Sequence, residues 1–241
     1  MTLPARKARL FLGIGACLWV FSIVLWQQAG LDRSIQLAHS NLRSDSLITG
    51  CAKALSTYGM ASCILVFLGC LAFSYKFDGL KDLQKIILPI LLSFMIAGPI
   101  SDLSKRIFAR PRPFEQYPTE IIAVTRPPAY SLPSGHATRS FALVLPFVVL
   151  APPGKRRRII KALLLLVAAA VAYSRIVLGV HFLSDILAGI GTAFIVLPLA
   201  ASAANAIYTA KGMTEKNAEK IAVVCGLILL GLIFYLVPNS L

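Results

Sequence analysis

Three short stretches of this chain hold polar groups that apolar surroundings would penalise: KRIFARPRP at residues 105–113, PSGH at 133–136, and SRIVLGVHFLSD at 174–185. In the third, His181 stands four residues ahead of Asp185. That spacing lets the carboxylate accept a hydrogen bond from one imidazole nitrogen and leaves the other as a base or nucleophile. It is the base-plus-orienter half of a catalytic constellation. In the second, Ser134 and Gly135 sit where a helix is expected to begin, and the unbonded amides of a helix start make an anion site. His136 places a proton donor beside it. Lys105, Arg112 and Arg175 supply three cations. Together with the helix-start amides they can surround a tetrahedral oxyanion, at about 1.5–3 kcal/mol for each charge-assisted hydrogen bond. Binding of that kind gives a reason for charges that each cost roughly 2.5–3.5 kcal/mol at a bilayer centre and less near its surface.

The elements that must position these groups read as membrane helices. The chain has 241 residues, 57% of them hydrophobic. The apolar residues fall into seven blocks, roughly 10–28, 57–75, 86–104, 138–153, 160–178, 183–207 and 221–237. The block at 138–153 is short and contains Arg139. The first block follows PARKAR and is read as a retained helix rather than a cleaved leader. Gly179 marks a reversal between the fifth and sixth helices, which puts Arg175 near one helix end, His181 in the turn, and Asp185 one turn into the next helix. Gly189 and Gly191, with Ala188 and Ala193, give the sixth helix a small face suited to close packing.

The net charge of +14 invites a nucleic-acid reading, but the placement of the charges points to topology. Alternate loops on one side carry fourteen of the 24 basic residues, including the run KRRR at 155–158. The positive-inside bias puts that side in the cytoplasm. The other side then holds the loops 29–56 and 105–137 and the turn 179–182. Loop 105–137 contains six prolines, so long regular helix is not expected there. It also concentrates Lys105, Arg106, Arg110, Arg112 and Arg126 on the face that should be poor in positive charge, and binding an anion is the simplest reason. Arg106, Arg110 and Arg126 are read as candidate substrate contacts. The five cysteines are dispersed and form neither a disulfide framework nor a metal-ligand spacing.

The ordered set Lys-x6-Arg-Pro, Pro-Ser-Gly-His and Ser-Arg-x5-His-x3-Asp resembles the three-part signature of the type 2 phosphatidic acid phosphatase (PAP2) superfamily. The match is complete at Lys105, Arg112 and Pro113, at Pro133, Ser134, Gly135 and His136, and at Ser174, Arg175, His181 and Asp185. The resemblance implies an all-α, polytopic membrane helical bundle. It would have a six-helix core with a seventh C-terminal helix, forming one integral-membrane domain over residues 1–241. It implies that His181 is the nucleophile and forms a phosphohistidine, that Asp185 holds and polarises it, and that His136 protonates the leaving oxygen. Lys105, Arg112, Ser134, Gly135 and Arg175 would bind the phosphoryl oxygens. No metal and no cofactor are expected, because fixed cations supply the electrostatic stabilisation. The expected partners are a membrane lipid substrate and the bilayer, with no nucleic acid and no obligate protein partner. The expected activity is hydrolysis of the terminal phosphate of a lipid phosphate or diphosphate at the periplasmic face of a bacterial inner membrane. Undecaprenyl diphosphate ranks first. Lipid A 1-phosphate, phosphatidylglycerol phosphate and phosphatidic acid, or transfer of the phosphoryl group to a lipid acceptor, are the alternatives.

Overall fold

The computed structural model describes residues 3–210 and 215–236. Among these, regular structure is entirely helical: α1 (Ala5–Gln27), α2 (Ala29–Ala38), α3 (Ser46–Lys76), α4 (Ile87–Phe108), the single turn α5 (Pro113–Gln116), α6 (Gly135–Leu150), α7 (Lys155–Val177), α8 (Leu183–Ala210) and α9 (Glu215–Leu236). Six stretches are long and apolar enough to cross a membrane: α1, α3, Lys81–Gln116 around α4, α7, α8, and Asn217–Tyr235 within α9. Large apolar side chains such as Val20, Leu65, Leu103, Leu166, Leu227 and Phe234 stand exposed around the bundle, the surface an acyl-chain environment covers. The chain is an integral membrane protein of the all-α, polytopic class.

The fourth apolar block departs from a full span. α6 has 16 residues, about 24 Å at 1.5 Å per residue, which is short of the roughly 30 Å hydrocarbon core. It begins inside the PSGH motif and is held on three sides by α4, α7 and α8. Its Arg139 is not a stray charge, because Nη2 bonds Asp102 Oδ2 of α4 at 2.9 Å.

The loop expected over 29–56 is mostly helix. α2 folds back across the bundle end, a 3-10 turn follows at Asn41–Ser44, and α3 starts at Ser46. The Asp45 side chain caps α3 by accepting from Leu47 N at 2.8 Å and Ile48 N at 3.0 Å. The first turns of α3, SLITGCAKALS, are too polar to extend an apolar block yet contain nothing that breaks a helix.

α8 is the central helix and packs along α1, α4 and α6. Its small face serves that packing. A Cβ on Gly191 would lie 2.8 Å from Gly15 O of α1, and one on Gly189 would lie 2.8 Å from Ser134 O at the start of α6. α9 covers the opposite flank against α3 and α4. The principal apolar core lies between these helices, around Ile64, Phe67, Ile90, Leu143, Phe147 and Leu229.

The turn between α7 and α8 is specified by Gly179, at φ +74°. A Cβ there would sit 3.0 Å from Arg43 Nε and 3.2 Å from Ile122 O. Gly179→Ala therefore combines a left-handed backbone penalty of about 1–2 kcal/mol with a crowded contact. It is expected to lower the thermal midpoint in detergent and to reduce turnover, because His181 lies two residues on.

Candidate active site

All three motifs meet at one end of the bundle. α7 ends at Val177, and its last carbonyls do not face apolar surroundings alone: Arg43 donates Nε to Val177 O at 3.0 Å and Nη2 to Ile176 O at 3.2 Å. The chain then turns so that the amides of Val180 and His181 donate to Arg175 O. His181 is thereby fixed by backbone as well as side chain, and Gln36 of α2 holds its carbonyl, Nε2 to O at 2.5 Å.

The two imidazole nitrogens of His181 face different groups. Nδ1 lies 3.4 Å from Asp185 Oδ2 and 3.4 Å from Ser131 Oγ. Nε2 lies 3.2 Å from Arg112 Nη1. The same Arg112 nitrogen donates to Val180 O at 2.9 Å, and its Nε donates to Ala129 O at 2.5 Å. Arg112 is thus clamped against the nitrogen that would attack. Asp185 is fully buried. Its Oδ2 accepts from Phe182 N at 2.7 Å and from the Ser131 hydroxyl, and its Oδ1 accepts from Arg110 Nη1 at 2.7 Å. The contact with His181 is longer than an ordinary hydrogen bond, because these three donors already draw the carboxylate. Burial first, then the cations of Arg112, Arg175 and Lys105, hold the His181 pKa well below its usual range. The imidazole is therefore neutral and keeps a lone pair, as a nucleophile requires.

Across from His181 lies the start of α6. The first amide of this helix that bonds backward is Thr138 N, to Ser134 O at 2.9 Å, so the amides of 135–137 precede the ladder. A Cβ on Gly135 would lie 3.2 Å from Lys105 Nζ, which places the lysine over the glycine. Lys105 itself is 3.4 Å from Asp102 Oδ1. Arg175 is 4% exposed and donates Nη1 to Ser56 Oγ of α3. Three buried polar atoms of the motifs have no hydrogen-bond partner among the described residues: Ser134 Oγ, His136 Nε2 and Arg175 Nε. A buried donor without a partner costs about 1–3 kcal/mol. Donors left free at the motif residues, beside fixed cations, are what an oxyanion site needs. No three histidine, cysteine, aspartate or glutamate side chains converge as a metal site would require among the described residues.

A family model of the PAP2 superfamily matches residues 86–208, just over half of the chain. The chain belongs to the PAP2 superfamily. A solved PAP2 structure, that of a transmembrane phosphatidylglycerolphosphate phosphatase from Bacillus subtilis, superposes with a TM-score of 0.58 at 20% identity, covering 80% of this chain and 96% of that one. The shared PAP2 fold is therefore established over most of the bundle. The undecaprenyl-diphosphatase of Sulfolobus acidocaldarius is 31% identical over 109 residues, 45% of this chain. The chain spans about half the length of that curated relative.

Within this PAP2 fold, the expected phosphate-site residues Lys105, Arg112, Ser134, Gly135 and Arg175 lie around His136, His181 and Asp185. The three arginines outside the motifs are placed differently. Arg106 is exposed. Arg126 is exposed and stacks over the Phe114 ring, 5.7 Å to the centroid. Arg110 was expected to face a headgroup, but it is 2% exposed and bonded to two carboxylates, Asp32 Oδ2 at 2.9 Å and Asp185 Oδ1 at 2.7 Å. A guanidinium whose two terminal nitrogens are bonded to buried carboxylates, and whose Nε is itself buried, has no face left for a lipid phosphate. The residues that motif reading does not find are Asp32, Gln36, Arg43, Ser56 and Ser131. Ser131, two positions ahead of PSGH, is the only one of these with a neighbouring sequence signal.

Proposed function

We propose that this PAP2 protein is a lipid phosphatase that removes the terminal phosphate of a membrane lipid through a phosphohistidine on His181. The observation that carries the reading is the aim of His181: Nε2 toward Arg112, Nδ1 toward Asp185, opposite a helix start whose motif donors are free. In the first step the Nε2 lone pair forms a bond to phosphorus. The phosphorus–oxygen bond to the leaving group breaks, its electrons go to that oxygen, and the proton comes from His136, whose pKa burial and the neighbouring cations hold low until the anionic phosphate binds beside it and favours the protonated ring. The imidazole then carries the phosphoryl group and a positive charge, which Asp185 faces. In the second step His136 takes a proton from water, the water oxygen bonds to phosphorus, and the electrons of the phosphorus–nitrogen bond return to His181. Lys105, Arg112, Arg175, Ser134 and the Gly135 amide hold the three equatorial oxygens, whose charge is greatest in the transition state.

The bias of lysine and arginine between alternate loops supports an outer, periplasmic position for the site in a bacterial inner membrane. At the ends of the helices a lipid can present its phosphate while its tail stays in the bilayer. Undecaprenyl diphosphate ranks first among substrates, supported by the similarity to the Sulfolobus undecaprenyl-diphosphatase. The structural neighbour's own substrate class, phosphatidylglycerol phosphate, is the main competitor. Arg106 and Arg126 remain as exposed counter-charges for a second phosphate, now without Arg110.

The test is phosphate release by purified protein in detergent, with EDTA and no added acceptor. Undecaprenyl diphosphate is expected to exceed phosphatidylglycerol phosphate, phosphatidic acid and lipid A 1-phosphate by about tenfold in kcat/KM, or ~1.4 kcal/mol of transition-state preference. A tenfold preference for another lipid would replace the substrate. Activity only with a lipid acceptor would make the protein a transferase.

A further inference from the structure

A buried polar cluster lies behind His181, on the side of Asp185. Arg110 reaches it because α4 ends at Ala109 in a left-handed conformation, φ 44°, which turns the chain back toward the bundle. Its guanidinium is sandwiched by rings, 4.1 Å from the Phe182 centroid and 5.3 Å from that of Trp26. One nitrogen donates to Asp185 and to Ser184 Oγ at 2.6 Å, and the other donates to Asp32. Asp32 comes from α2, is 1% exposed, and also accepts from Ser184 N at 3.1 Å and from the Ser184 hydroxyl. Two carboxylates thus share one guanidinium directly behind His181.

We propose that Arg110 and Asp32 are positioning residues of the phosphoryl-transfer site. Arg110 balances Asp185, so that Asp185 orients His181 without holding it as an imidazolium, and Asp32 sets how much of the Arg110 charge Asp185 receives. A lone buried carboxylate beside an imidazole favours the protonated ring, which has no lone pair to attack phosphorus. The attack itself creates a cationic phosphoimidazole, which needs that same carboxylate. Balancing Asp185 with Arg110 reconciles the two demands. The ring stays neutral before attack, and the carboxylate is in place when the charge develops on the ring.

The other charged or titratable groups that face His181 are Arg112 from the segment after α4, Lys105 from α4, His136 from α6 and Arg175 from α7. The three cations among them disfavour a protonated ring, and so does the Arg110 charge. The Asp32 charge works the other way. Removing Arg110 leaves two uncompensated carboxylates near the ring, whereas removing the Asp32 charge leaves one carboxylate matched by one guanidinium. The two changes must therefore move the titration of His181 in opposite directions. A purely structural role predicts no such opposition.

The inference rests on the phosphohistidine reading. It is tested by the pH profile of kcat/KM in detergent with a short-chain prenyl diphosphate, for Arg110→Gln, Arg110→Lys, Asp32→Asn and His181→Ala. Arg110→Gln is expected to move the acidic limb up by about one pH unit, and Asp32→Asn to move it down by about the same. Arg110→Lys should restore the limb with a lower kcat, since one ammonium cannot span both carboxylates. Lower rates with unmoved limbs in both the Gln and Asn variants would overturn the inference alone. If Arg110→Gln does not fold, the isosteric Asp32→Asn decides, because an unmoved or raised limb contradicts the charge argument. Full activity in His181→Ala would overturn the reading of the site, and this inference with it.

Discussion

Replacing His181 with alanine is expected to lower kcat for phosphate release by on the order of 10^4-fold or more, with little change in substrate binding. The imidazole is the nucleophile in the proposed mechanism, so no slower version of the first step survives its loss. The phosphate cradle of Lys105, Arg112, Arg175 and the α6 start would remain, and with it the affinity for substrate and for vanadate. Ground-state contacts are largely untouched, so the effect should fall on kcat and leave KM near the wild-type value. His136→Ala separates the two steps. Without the proton donor, a poor leaving group such as a lipid alcohol departs slowly, and general-acid loss of this kind is worth about 10^2–10^4-fold. A substrate with a good leaving group, such as p-nitrophenyl phosphate, should lose much less in the first step, read as the burst of p-nitrophenol, while its steady turnover stays slow because His136 also activates the water. Comparing the two leaving groups in His136→Ala and His181→Ala assigns acid and nucleophile, because the His181 variant should be equally inactive on both.

The second large effect is expected from Asp185→Asn. The substitution keeps the shape, and the amide oxygen can still accept from Phe182 N and Ser131, but the amide nitrogen then faces the donor Arg110 Nη1, and the charge that faces the developing imidazolium is gone. A loss on the order of 10^4 in kcat is expected, by the logic of an orienting aspartate replaced with its amide. The protein should still fold, because Arg110 keeps Asp32 and Ser184 as partners. Asp185→Ala is the harsher change. It leaves the Phe182 amide, the Ser131 hydroxyl and one N–H of Arg110 Nη1 without an acceptor, and breaking a buried pair in this way costs about 3–5 kcal/mol. Thermal unfolding in detergent should therefore separate the two: lowered modestly for the amide, clearly more for the alanine. Equal midpoints for Asn and Ala would mean that the network around Asp185 contributes little to the fold.

The motif residues were legible in the sequence because their chemistry allows few alternatives. A histidine four residues from an aspartate, next to a serine–arginine pair and preceded by two cation- and glycine-bearing motifs, has few purely structural explanations in an apolar chain. The helices were legible where about twenty apolar residues run together. Legibility failed where partners are distant or where polarity is mixed. Arg110 read as a candidate substrate contact because counting charges per loop says nothing of what each one meets, and its partner Asp32 lies 78 residues away in a segment with no motif. Arg43, grouped with the outer charges, in fact holds the carbonyls of α7. Part of the positive charge that seemed to violate the topological bias is therefore matched by the chain's own carboxylates: Arg33 by Glu120 and Arg139 by Asp102 in partly exposed pairs, and Arg110 by two buried carboxylates. The anion-binding explanation is unnecessary for these and is proposed for the motif cations alone. The first turns of α3 were read as loop because threonine, serine and glycine dilute the apolar signal, although Asp45 caps the helix and Ser56 within it meets Arg175.

The central claim is that the phosphoryl group passes through His181. The most direct measurement is rapid alkaline quenching of the purified protein during turnover, followed by peptide mass mapping. The account predicts one added phosphoryl group on the peptide containing His181, acid-labile and stable in alkali, raised in abundance in His136→Ala when p-nitrophenyl phosphate is the substrate, and missing in His181→Ala. A phosphoryl group on any other residue, or steady turnover with no phosphorylated peptide at any quench time even in His136→Ala, would contradict it.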